Sequence, residues 1–196
     1  MMDSVLIARK ASFRVRIGVK TLLSVALVAL ATGLPQLVHL ALGAPGGVQW
    51  LPMYLPVLLG GCLLGARWGF AVGVASPLVS FLLTSAWGDP MPALPRLPFM
   101  VAELAVIALV CGAFSKQIAK SPVWAFPAVL SAFVAGRLGF LSLVALFNAV
   151  TPLTSALIRS QIQTGMGAVV LQSLLVPLAV VGLWYLLRKE DGHDRL

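Results

Sequence analysis

Apolar residues in this chain come in runs of lipid length, and short breaks rich in proline, glycine or polar residues divide them into six segments. The first covers about 17–42, with Pro35 placed to kink its last third, and Ala44-Pro45-Gly46-Gly47 ends it. The second, about 51–64, is short and interrupted by Pro52, Pro56 and the Gly60-Gly61 pair, which predicts a broken or strongly tilted span. A tight turn at 65–68 leads into the third, about 69–85; the fourth, fifth and sixth follow over about 97–115, 124–147 and 165–187. A crossing takes roughly 20 apolar residues. The pattern therefore predicts an all-α integral membrane protein of six transmembrane helices, a single membrane domain over 1–196 in contact with lipid. Residues 1–16 stand apart as a basic N-terminal segment, where Val5, Leu6, Ala8 and Phe13 have the spacing of a short interfacial helix.

Composition agrees with this pattern. Sixty per cent of the residues are hydrophobic, 10% are charged, and the mean hydropathy is +1.00, outside the range of soluble domains. A net charge of +8 raises the question of nucleic acid, but the basic residues flank apolar segments and do not cluster on a polar element with aromatics. They read instead as topology determinants, and no nucleic-acid partner is expected. With the N-terminus inside, the cytoplasmic side carries Arg9, Lys10, Arg14, Arg16, Lys20, Arg67, Lys116, Lys120, Arg188, Lys189 and Arg195, against Arg96 and Arg159 outside. Both termini are thus predicted cytoplasmic, with the loops at 44–50, 85–98 and 148–164 outside. The first apolar run is too long for a signal-peptide core. Cys62 and Cys111 sit in apolar segments without metal or redox spacing and read as buried thiols.

Within the apolar segments, three side chains are out of character. Glu103 lies in the fourth, Arg137 in the fifth and Gln172 in the sixth. An intramembrane carboxylate is costly unless paired, protonated or facing water, so Glu103 marks a functional site by default. At about 1.5 Å per residue, Glu103 falls roughly 9 Å, Gln172 roughly 10 Å and Arg137 roughly 15 Å below the outer ends of their helices. All three belong to the outer half. A pocket open to the outside follows, with Glu103 and Arg137 as its charged floor, roofed by the four-proline loop at 87–98 and the polar loop at 148–164. His39, Asn148, Trp87 and Gln161 stand at its rim. The competing reading is a purely structural Glu103–Arg137 pair, or a proton relay. Gly61, Gly65, Gly69 and Gly73 recur every fourth residue, which permits close helix approach, although the turn near Arg67 splits them between two helices.

No GxSxG, HExxH or GxxxxGK[ST] motif and no metal-ligand cluster is present, so neither an enzyme nor a metal or other cofactor is expected. The run from Leu51-Pro52-Met53-Tyr54-Leu55-Pro56 through Gly60-Gly61-Cys62-Leu63-Leu64-Gly65-Ala66-Arg67-Trp68-Gly69, with Ser76-Pro77-Leu78-Val79-Ser80-Phe81, Met91-Pro92 and Pro98-Phe99-Met100-Val101-Ala102-Glu103-Leu104, resembles the S components of energy-coupling factor (ECF) transporters. The resemblance implies an S-component-like bundle in a bacterial or archaeal inner (plasma) membrane. It would be a subunit that captures a water-soluble vitamin or precursor outside, docks on a transmembrane T subunit with two cytoplasmic ATPases, and topples to release the vitamin inside. The expected substrate-binding residues are Glu103, Arg137, Gln172, Asn148, Trp87 and Met100. The family's Ala-x-x-x-Ala docking face has its nearest equivalent in Ala29-x-x-x-Gly33, with Ala26 close by. The Gly-Pro-Thr-Gly-Gly type stretch of the biotin-specific branch is absent, and a pocket with one acid, one base and several amides suits a polar vitamin or precursor such as pantothenate, a pyrimidine or a corrinoid side chain. A stand-alone proton-coupled carrier and a small intramembrane enzyme using Glu103 as acid/base are the alternatives.

Overall fold

The computed structural model describes residues 1–2, 6–7, 12–43, 49–88, 90–147 and 155–193, with the side chains of 155–162 and 188–193 left out of the description. All regular structure among the described residues is helical. The helices are α1 (Phe13–Leu42), α2 (Tyr54–Leu64), α3 (Ala66–Ala86), α4 (Leu97–Ala113), α5 (Ser115–Lys120), α6 (Ala125–Leu146) and α7 (Ser155–His193), with single 3₁₀ turns at Leu94–Arg96 and Pro122–Trp124. Five helical stretches are long and apolar enough to cross a membrane: Phe13–Leu42, Ala66–Ala86, Leu94–Ala113, Pro122–Leu146 and Gln163–Leu187. The chain is an all-α, multi-pass membrane protein.

The second segment is the exception to lipid length. Its prolines and glycines were expected to break it, and α2 has 11 residues, about 16 Å against a hydrocarbon core of about 30 Å. It makes up in contacts what it lacks in length. It touches all five long helices, and Val57, Leu58 and Cys62 on it are fully buried. α2 runs alongside one half of α4: Tyr54 meets Glu103, Gly61 meets Ala108 and Cys111, and Gly65 reaches Ser115. This end of the bundle, near Arg67, Lys116 and Lys120, is the basic end; the other carries the proline loop. α4 lies at the centre, packed on α2, α3 and α6, while α1 covers α2 and α3, and α7 covers α6 and α2.

Glycines set how closely these helices approach. Gly65, at φ 88°, turns the chain between α2 and α3 in a conformation a β-carbon disfavours. A β-carbon at Gly73 would fall 2.7 Å from the Leu104 carbonyl oxygen of α4, so α3 and α4 touch backbone to backbone there. The four-residue recurrence thus marks a real contact, spread over two helices by the Gly65 turn. Replacing Gly73 by valine is expected to force α3 from α4 and to cost about 1–3 kcal/mol. Denaturant unfolding in detergent, followed by tryptophan fluorescence, measures it, and an unchanged midpoint would show that the seam can open without loss.

Two boundaries differ from the hydrophobic pattern. The polar stretch at 148–164 was expected to be a loop, yet from Ser155 onward it is helix, and α7 runs for 39 residues. Gln and Arg are good helix formers, so polarity there marks the exit from lipid and not the end of the helix. At the N-terminal side, α1 starts at Phe13, capped by the Ser12 hydroxyl, which accepts from the Val15 amide at 3.4 Å. Arg14 and Arg16 therefore belong to the same helix as the first apolar run, instead of to a separate interfacial segment.

Candidate ligand cavity

Three helices converge on one carboxylate. Glu103, 3% exposed, projects from the middle of the central helix α4. From the start of α2, the Tyr54 hydroxyl donates to Glu103 Oε2 at 2.8 Å. From α6, Arg137 Nη1 lies 3.0 Å from Oε1, and its guanidinium carbon sits 5.7 Å from the Tyr54 ring centroid. Phe133, one turn before Arg137 on the same face of α6, stacks on the Tyr54 ring at 6.3 Å with 16° between planes. The i, i+4 spacing thus gives α6 an aromatic and a cation that grip the same tyrosine. Arg137 approaches Oε1 off the line of its N–H bonds, and Oε1 has no aligned hydrogen-bond donor. The pair is ionic, and the carboxylate keeps accepting capacity.

Above this group, on the proline-loop side, lies a cavity of about 370 Å³, within the size range of small-molecule sites. α1 contributes Pro35 and His39, the lead-in to α2 contributes Leu51, Pro52 and Met53, and Ser80 comes from α3. Arg96, at the end of the 3₁₀ turn before α4, lines it together with Met100 and Glu103 of α4 and Arg137 and Phe140 of α6. Pro90, Met91, Pro92 and Ala93 close the side nearest the loop. The cavity exists because α2 fills only half the height of the bundle: where α2 stops, the walls stand apart.

Hydrogen bonds from buried polar side chains fix the cavity's edges. Met91 is tied to α3 twice: its amide donates to Thr84 Oγ1 at 2.7 Å, and its carbonyl accepts from Ser80 Oγ at 2.8 Å. Gln172 on α7 donates to the Trp50 and Leu51 carbonyls at 2.9 and 3.0 Å. That bond pair holds a strained point, since Leu51 takes φ 46°, a conformation rare for a side chain of its size. Thr84→Val removes the Thr84 tether of Met91 while keeping the shape and the Ser80 bond, and is expected to expose the proline loop to limited proteolysis at least several-fold faster without shifting the unfolding midpoint by more than about 1 kcal/mol. Equal cleavage rates would show that the tether is dispensable.

Of the residues expected at the site, the structure brings together Glu103, Arg137 and Met100, and His39 joins them. Gln172 lies outside the cavity and serves its rim through Trp50 and Leu51. Trp87 does not line the cavity and is 75% exposed. Asn148 lies outside the described residues, as do the rest of 148–154 and the side chain of Gln161. Ala26 and Ala29 are exposed on the outward face of α1, and Gly33 is half-buried there with open space beside it. Sequence reasoning missed Tyr54 and Arg96. Tyr54 left a signal: it is one of two tyrosines in the chain and sits between Pro52 and Pro56, where an apolar span would not need a hydroxyl. Arg96 was counted only as a loop charge. Comparison of the chain with protein-family models, with curated proteins and with solved structures gives no match. The functional reading therefore rests on the cavity. Among the described residues, no three His, Cys, Asp or Glu side chains converge as metal ligands would.

Proposed function

We propose that this chain is the substrate-binding membrane subunit of an ECF-type importer, which captures a water-soluble vitamin or precursor at the outer face of a bacterial or archaeal inner membrane. The observation that carries the reading is the cavity of about 370 Å³ at the proline-loop end, with a tyrosine, a glutamate and two arginines among apolar walls. A purely structural ion pair has no need of such a space. Both termini are cytoplasmic in this reading, and α2 with its lead-in from residue 49 makes the sixth crossing. ATP hydrolysis belongs to partner subunits, and the protein is not itself an enzyme. The T subunit docks on the outward face of α1, where Ala26, Ala29 and Gly33 leave room for a closely packed helix.

The direct test is to purify the protein in detergent from cells grown in rich medium, denature it, and identify retained small molecules by mass spectrometry. A vitamin near one per protein is the expected result. A second reading, a proton-coupled carrier, draws on the placement of Glu103 in the cavity wall. It requires uptake that persists without any ATPase partner and collapses with an uncoupler.

A further inference from the structure

Among the described residues, the charges lining the cavity do not cancel. Glu103 is balanced by Arg137 at 3.0 Å and accepts from Tyr54 at 2.8 Å, so its negative charge is already committed. Arg96 lines the same space at its loop side, half-buried among prolines, and its guanidinium makes no hydrogen bond or ion pair among the described residues. A guanidinium partly withdrawn from water with no acceptor is unfavourable, and its planar fork is shaped for two oxygens of one anionic group. Two turns further along the same helix face, Glu103 lines the same space. The site therefore offers a cationic fork without a partner among the described residues, within a volume of about a dozen liquid waters.

Resting on the binding-subunit reading above, we infer that the cargo is a small organic anion, with a carboxylate held by Arg96. A cationic vitamin is disfavoured, since it would meet Arg96 and find the only lining carboxylate among the described residues already paired. A whole corrinoid is too large for the space.

The test compares the full-length protein with Arg96→Gln, both in detergent. The cargo released on denaturation is run by electrophoresis at pH 7, and direct binding is measured for two matched probe pairs, pantothenate with pantothenol and nicotinate with nicotinamide. An anionic cargo, lost by at least roughly tenfold in Arg96→Gln and partly restored in Arg96→Lys, is the expected result. An acid probe that binds better than its neutral partner only when residue 96 is cationic supports the same conclusion. A neutral or cationic cargo, or an anionic cargo fully retained by a folded Arg96→Gln protein, overturns the inference and leaves the importer reading intact. A protein that holds no cargo and binds none of the four probes overturns both. The unfolding midpoint of Arg96→Gln is measured alongside, so that loss of fold is not read as loss of binding.

Discussion

Arg137→Ala is expected to lower the stability of the detergent-solubilised protein by about 3 kcal/mol, the low end of the range for breaking a buried ion pair. The guanidinium is 22% exposed on its side chain and keeps some access to water, whereas Glu103 is 3% exposed and would be stranded. Only the Tyr54 hydroxyl would remain to it. Truncation also strips the cation from over the Tyr54 ring, which loosens the start of α2. Glu103→Gln should cost less, since the amide can still accept from Tyr54 and no carboxylate is left behind. Denaturant unfolding in a single detergent ranks the two, and a larger loss for Glu103→Gln would contradict the assignment of Glu103 as the group that depends on its partner.

The double replacement Glu103→Leu with Arg137→Met is expected to do the opposite: stability at or above that of the unaltered protein, with cargo retention lost entirely. Apolar residues of similar volume commonly replace buried ion pairs without loss, because two desolvation penalties disappear together. Tyr54 would then lack its acceptor, so Tyr54→Phe completes the change. The experiment separates the two uses of an intramembrane pair. A stable triple variant that still holds its cargo would reduce Glu103 and Arg137 to architecture, while a stable and empty one makes them the floor of the binding site.

Much of this arrangement was legible in the sequence, at a particular grain. Lipid-length apolar runs matched their helices, all but the last, to within a few residues, because in hydrocarbon the backbone has few alternatives to helix. Depth counting from the loop ends placed Glu103 and Arg137 in the same half of the membrane, and they meet. The same counting placed Gln172 there too, but depth says nothing about azimuth: Gln172 turns to the chain entering α2 instead of the cavity. Tyr54 and Arg96 were missed for a related reason. Their roles depend on α2 stopping short, a three-dimensional fact that the prolines at 52 and 56 signal only as a break. The start of α7 at Ser155 was missed because a hydropathy scan sees lipid, and a helix may leave lipid without ending.

The half-length of α2 bears on how this protein would feel the cell's voltage. If water fills the cavity from the proline-loop side, the insulating layer beneath it is about as thick as α2 is long, roughly 16 Å. The electric field then concentrates across α2 and its neighbours, and the space holding Arg96, Arg137 and Glu103 lies almost at the potential of the compartment on the proline-loop side. A charged molecule entering there crosses little of the membrane potential, so capture should proceed equally in energised and de-energised cells. Any dependence on voltage must then arise from charge that moves across the short helix itself.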